Sequence, residues 1–211
     1  ISNVYGVQIV ERDINLKIAQ YCKSELETYA GVTVYMTRND NTSPNTDREQ
    51  RAKFAAEKGA NVLVSIHINS YGKGYTSAHG AEVYYPNSNY NSTVSGQGQN
   101  LSAVILKQLT ALGLADRGIK IRNSKDGETY PDGSLADYLG INKYAKLYGY
   151  PGILIEHAYA NNVSDAANYL TTDAQLQRLG VADATGIAQY FGLQKKKNVS
   201  LYGLSLIHIS E

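Results

Sequence analysis

The sequence predicts a single α/β domain, a twisted, mostly parallel or mixed sheet with helices on both faces. Three observations carry that expectation. Apolar, β-branched runs alternate along the chain with amphipathic segments of helical spacing. The two longest runs, Val62-Leu63-Val64-Ser65-Ile66-His67-Ile68-Asn69 and Gly152-Ile153-Leu154-Ile155-Glu156-His157-Ala158-Tyr159, are apolar almost throughout, as strands covered on both sides are. The 211 residues suffice for one substantial core and do not demand two.

The elements follow in order. In 13–29 the apolar residues Ile14, Ile18, Cys22 and Leu26 recur every fourth position, which predicts an amphipathic helix stopped by Gly31. Residues 32–38 alternate β-branched and polar side chains and predict a strand, followed by a polar loop over 39–45. Thr46-Asp47-Arg48-Glu49 has the form of a capping box with Thr46 as N-cap, opening a helix that runs to about Lys58. The strand bearing His67 comes next, then a short strand over 81–85 ended by Pro86 and a polar stretch over 87–100 whose middle is expected to be surface loop. Leu101, Val104, Ile105, Leu109 and Leu112 form a helical stripe closed by Gly113. Residues 117–122 predict a strand, and the polar, Gly-rich 123–140 a loop long enough to border a site. The strand 153–159, a helix opening at Ser164-Asp165 and a last amphipathic helix over 172–191 complete the domain near Leu193. The tail 194–211 continues no pattern, and 204–211 resembles translated sequencing-adapter sequence, so His208 is set aside.

Composition narrows the function. Lys and Arg number 20 against 19 Asp and Glu, so no global field points to nucleic acid or an anionic membrane. No run is long enough to insert into a membrane, and one cysteine gives no disulfide framework; Cys22 falls on a helix's apolar stripe, as an inert thiol would. The chain opens at Ile1-Ser2-Asn3 with neither initiator Met nor signal peptide, like a cut edge. Tyrosine supplies 18 of the 20 aromatic residues, which suits a wet sugar- or peptide-contacting surface or follows from compositional habit alone.

Chemistry starts with two polar anomalies in apolar strands. His67 is either a hydrogen-bonded core histidine or a ligand at the C-terminal edge of its strand, where open α/β sheets place their sites. Glu156 is sharper, because an ionised carboxylate in an apolar strand costs several kcal/mol unless it is paired or bound to metal. Glu11, beside the first helix, is on its own an N-terminal cap or a partner of the helix dipole. Together the three are the parts of a catalytic zinc site, N and O ligands with a base beside them. His157 follows Glu156 directly and so faces the other side of its strand, and His79 lies in a loop; neither is expected to ligate. Arg51 and Arg117 are explained as well by a solvated face or a carboxylate clamp as by substrate.

Seven segments in order resemble one family. They are Glu11-Arg12-Asp13-Ile14-Asn15-Leu16, Val34-Tyr35-Met36-Thr37-Arg38, Arg51 with Ala55-Ala56, Ser65-Ile66-His67-Ile68-Asn69, Gly80-Ala81-Glu82-Val83-Tyr84-Tyr85, Leu112-Gly113-Leu114-Ala115-Asp116-Arg117-Gly118 and Pro151-Gly152-Ile153-Leu154-Ile155-Glu156. Together they resemble the zinc-dependent N-acetylmuramoyl-L-alanine amidases of the Amidase_3 type. The resemblance implies a phosphorylase/hydrolase-like catalytic domain over 1–193, with Glu11 and His67 as two zinc ligands and Glu156 as the catalytic carboxylate. It places the third ligand, a histidine in a Gly-His-Gly-Gly segment ending the first strand, upstream of Ile1, so that strand is expected to be missing here. It implies hydrolysis of the amide between the lactyl group of N-acetylmuramic acid and L-alanine in peptidoglycan, by a monomer in the extracellular cell wall. Tyr130, Tyr138 and Tyr144 are candidates to hold glycan or peptide. Two other readings stay open: a metal-free, inactive peptidoglycan-binding module, and a zinc hydrolase of another amide.

Overall fold

The structure, a computed structural model, describes residues 2–4, 6–42 and 46–197. The tail 198–211, with its adapter-like segment and His208, lies outside the described residues. The chain runs β1 (Ser2–Val4), β2 (Val7–Ile9), α1 (Glu11–Leu26), α2 (Arg48–Glu57), β3 (Leu63–Asn69), β4 (Ala81–Tyr84), α3 (Ser92–Ala111), β5 (Asp116–Lys120), α4 (Gly140–Leu147), β6 (Gly152–Tyr159), α5 (Val163–Tyr169) and α6 (Asp173–Phe191). The main sheet has the order β3-β6-β4-β5 and is mixed, since β6 pairs parallel with β3 and antiparallel with β4, and β4 pairs parallel with β5. The hairpin β1-β2, which the sequence did not suggest, stands apart as its own two-stranded sheet.

Side-chain alternation divides the main sheet into two faces. Ile68, Val83, Ile153 and Ile155 share one face and join Ile18, Cys22, Ile105, Leu109, Leu179 and Ile187 in the principal core, under α1, α3 and α6. Burial pushes the Cys22 thiol well up, which keeps it protonated and inert. The three helices meet at backbone distance. A Cβ at Gly180 would stand 2.6 Å from the Ile18 carbonyl oxygen, and one at Gly186 2.8 Å from the Ile105 Cα. The opposite face is covered at the beginning of β3 and β6 by α2 and α4, through Ala52, Ala55, Leu63, Ile141, Ala145 and Tyr150. Towards the strand ends that cover stops, and the His67 side chain is 38% exposed.

Three expectations need correction. Residues 32–38 form no strand, because no described strand lies alongside to complete a ladder. The segment is held instead by bonds such as Lys23 Nζ to the Val34 carbonyl (3.2 Å), while Val32 and Val34 rest on the core. The N-cap of α2 is Asp47 rather than Thr46, its carboxylate accepting from the Gln50 N–H at 2.8 Å. The predicted loop over 87–100 becomes helix from Ser92, capped by Asn91. Its polar, Gly-containing first turns are poor helix formers, but Gly98 fits where a Cβ would come 2.8 Å from Pro86 Cδ, and Ser95 Oγ donates to the Pro86 carbonyl at 2.7 Å. The helix α4 is an addition that had no forecast.

Within α4, Lys146 is fully buried. Its ammonium meets the Asn87 carbonyl (2.9 Å), Asn87 Oδ1 (2.7 Å), the Asn89 carbonyl (3.0 Å) and Asp137 Oδ2 (3.0 Å), and lies 4.2 Å from the centroid of the Tyr130 ring. Tyr130 donates to Asp137 Oδ2 at 2.5 Å and Asp137 Oδ1 accepts from the Asn87 N–H at 2.8 Å. One cation thus ties the loop before α3 and the loop 123–140 to α4. Burial pushes the ammonium below its ordinary value despite the pull of Asp137. Lys146→Met leaves Asp137 buried without its cation and is expected to cost about 3–5 kcal/mol. Urea unfolding measures this, and a loss under about 1 kcal/mol would place the stability of these loops elsewhere.

Candidate active site

Three strands bring the polar residues of the open face into one row. His67 on β3 is the register partner of Glu156 on β6, and Glu156 is the partner of Glu82 on β4. Register partners project to the same face, with neighbouring strands about 4.8 Å apart. Glu11 completes the group from α1. It is the first residue of that helix, after Val10 as N-cap, so its carboxylate caps nothing; Oε1 reaches His67 Nδ1 at 3.1 Å. Burial pushes the Glu11 carboxyl up, but the hydrogen bond and charge of His67, the Ile68 N–H and the Asn15 amide outweigh it and hold it below its ordinary value. The other His67 nitrogen, Nε2, lies 3.1 Å from Ser65 Oγ, which fixes the ring.

Glu156 has the opposite fate. Burial pushes its carboxyl up to about 7, the charges of Glu11 and Glu82 add to the rise, and His67 only partly offsets it. Its Oε2 is a buried atom without a hydrogen-bond partner. A buried carboxyl poised near neutrality, with one oxygen free of hydrogen bonds and a backbone in register with His67, can accept and return a proton.

Glu82 is the participant the sequence reading passed over. It is buried, with a side chain 4% exposed, and receives Arg117 Nε at 3.1 Å, Asn69 Nδ2 at 3.1 Å, Tyr84 OH at 2.9 Å and the Lys120 ammonium. Burial pushes its carboxyl up, but Lys120, Tyr84 and Arg117 prevail and keep it ionised below its ordinary value. The signal was available: a carboxylate between Ala81 and Val83 in an apolar strand is the anomaly that singled out Glu156. Arg117 is thereby a carboxylate clamp, its guanidinium also 5.0 Å from the Tyr159 ring centroid.

The remaining candidates separate. His157 lies on the core side, fully buried, with Nδ1 donating to the His67 carbonyl at 3.1 Å and Nε2 2.8 Å from Asp183 Oδ2. Burial pushes this imidazole down, but Asp183 outweighs it and raises it overall. His79 is exposed, its Nδ1 bonding the Ser77 carbonyl at 2.9 Å. Arg51 donates to the Thr46 carbonyl and hydroxyl. Tyr130 is buried in the Lys146 network and so is removed from substrate, and Tyr144 packs against the α2–α4 cluster; Tyr138 stays exposed, under the Arg122 guanidinium at 4.1 Å.

The donor chemistry fits zinc in part. Glu11 Oε1 and His67 Nδ1 are an oxygen and an imidazole nitrogen 3.1 Å apart, close to the roughly 3.3 Å edge of a tetrahedron with zinc bonds of about 2.0 Å. Ser65 Oγ at the far ring nitrogen is the outer partner such a ligand needs. A catalytic zinc takes three protein ligands, and among the described residues no group of three His, Cys, Asp or Glu side chains could hold a metal.

Comparison with known proteins agrees with the fold. The Amidase_3 family, described as N-acetylmuramoyl-L-alanine amidase, matches residues 3–189, and the chain belongs to that family. It is 30% identical over 196 residues to an endolysin of Bacillus phage SPP1, covering 91% of this chain and 62% of that protein. It is 29% identical over 167 residues to the N-acetylmuramoyl-L-alanine amidase LytC of Bacillus subtilis (strain 168), covering 79% of this chain and 28% of that one. The chain therefore spans less than two thirds of either relative. Its fold matches the catalytic domain of CwlV, an N-acetylmuramoyl-L-alanine amidase from Bacillus (Paenibacillus) polymyxa var. colistinus, with a TM-score of 0.68 and 27% identity over 92% of this chain and 91% of that one.

The raised Glu156 value has a thermodynamic signature in the metal-free chain. A carboxyl raised from 4.5 to about 7 favours folding while protonated. That stability is whole below pH 4.5, declines as pH rises, and is lost above about 7. Glu156→Gln is expected to match the parent at pH 4 and to exceed it by roughly 2–3 kcal/mol at pH 8, measured by urea unfolding with chelator present. Equal stability of the two at pH 8 would contradict the burial of an ionised Glu156.

Proposed function

We propose that this chain is the catalytic part of a zinc-dependent N-acetylmuramoyl-L-alanine amidase that hydrolyses the lactyl–L-alanine amide of peptidoglycan in the extracellular cell wall. The observation that carries the reading is the row His67–Glu156 on adjacent strands with Glu11 across from it, inside a fold and family of such amidases. Glu11 and His67 would hold the ion, with a third ligand from outside the described residues. Bound there, zinc supplies a Lewis acid that polarises the carbonyl and acidifies water.

The chain's own residues do the proton work. Glu156 Oε2, unpartnered and buried, takes the proton of the attacking water as general base. Buried and short of hydrogen-bond donors, it then returns that proton to the departing alanyl nitrogen. Ser65 Oγ at Nε2 holds the His67 ring so that Nδ1 faces Glu11 Oε1. Glu82, held ionised by its cations, keeps negative charge beside Glu156 and so sustains its high proton affinity.

A second reading, a wall-binding module that works without metal, rests on there being no group of three metal-holding side chains among the described residues. One experiment separates them. Peptidoglycan digested with the zinc-supplemented chain is expected to gain L-alanine amino termini, and Glu156→Gln to lower the rate about 10²- to 10⁴-fold without loss of wall binding. Wall binding with no new amino termini favours the module, and new termini at any other residue favour a zinc hydrolase of a different amide.

A further inference from the structure

We infer that β5 and the residues just beyond it carry the subsite for an acidic peptide. Arg117, Lys120 and Arg122 form a cationic strip that receives a substrate carboxylate two to three residues from the amide cut at Glu156. The inference deepens the amidase reading above and rests on it.

The strip faces the site. Lys120 is the register partner of Tyr84, and both Lys120 and Arg117 bond Glu82, which shares its face with Glu156. Arg122 follows Lys120 by two residues, the spacing that keeps a side chain on one face of an extended chain, and its guanidinium rests on Tyr138.

The charges do not balance. Glu82 supplies one negative charge to three cations. The Arg117 and Lys120 side chains remain 32% and 36% exposed while bonded to it, and Arg122 is exposed with no carboxylate paired to it among the described residues. In the adjoining 123–140 loop Glu128 pairs with Lys143 and Asp137 with Lys146, while the exposed Asp126 and Asp132 have no ion pair to the strip among the described residues. The excess positive charge is paid for in repulsion unless a ligand brings an anion. Arg122, stacked on Tyr138 and so held in place, presents its planar donors at the rim.

Distance identifies the part of the substrate. β5 is two strands from β6, about 10 Å at 4.8 Å per strand, and an extended peptide advances about 3.3–3.6 Å per residue. A chain crossing from Glu156 towards the strip therefore presents its second or third residue there. N-acetylated sugars carry no charge, so the peptide branch is the source of the carboxylate.

The test is calorimetric binding to the full chain with zinc supplied, carrying Glu156→Gln to stop turnover. The ligands are N-acetylmuramoyl tripeptides with either a carboxylate or the corresponding amide at the second or third residue. The acid is expected to bind about three- to five-fold tighter than the amide at one of these positions at low salt, and the preference to vanish in 0.5 M salt. Arg122→Gln, which touches no buried group and is expected to keep its melting temperature, should lose most of that preference, and Lys120→Gln part of it. Equal affinity for acid and amide at both positions, or a preference unchanged in both variants, overturns the subsite while leaving the amidase reading in place. Failure of every tripeptide to bind overturns the amidase reading together with the subsite.

Discussion

The register of β6 between β3 and β4 is the constraint on which the rest of the site depends. One strand, with parallel pairing on one side and antiparallel on the other, sets Glu156 between His67 and Glu82. The next residue along, His157, then points into the core, where it binds Asp183 of α6 and the His67 carbonyl. A slip of one residue would exchange these two side chains, burying a carboxylate among apolar helices and turning an imidazole outward. The buried His157–Asp183 pair and the bond to the His67 main chain hold that register from behind, so the core face positions the chemistry of the open face.

Around this register the protein separates three carboxyl groups by environment. Glu82 is surrounded by donors and stays ionised; Glu11 is held by an imidazole and backbone; Glu156 is buried with little to compensate it and is raised towards neutrality. None of the three differs from the others chemically. Their roles come from which neighbours each strand or helix brings, a division of labour common to sites that need both a fixed charge and a mobile proton.

Much of this was legible in the residues. The mixed sheet between helices, the two long apolar strands and the last helix follow from periodicity, and Glu11, His67 and Glu156 stood out as polar groups in the wrong company. What was not legible depended on partners distant in sequence. The alternation of residues 32–38 has the form of a strand, but a ladder needs a neighbour that local pattern cannot supply. The first turns of α3 are helical because Gly98 and Ser95 dock on Pro86, a contact invisible to propensity. Lys146 resembles any surface lysine until the chain folds around it. Tyr130, a reasonable guess for a ligand contact, is consumed by that same cluster.

The Lys146 cluster makes the 123–140 loop two regions with different freedom to vary. Residues 135–138 are tied down through the Leu135 carbonyl, Asp137 and the Tyr138 N–H, whereas Lys125, Asp126 and Gly127 project into solvent without holding anything buried. Insertions and substitutions at that outer bend leave the anchored part in place. A lineage of this protein can thus revise the outer bend of the loop beside its open sheet face without renegotiating the stability of the domain.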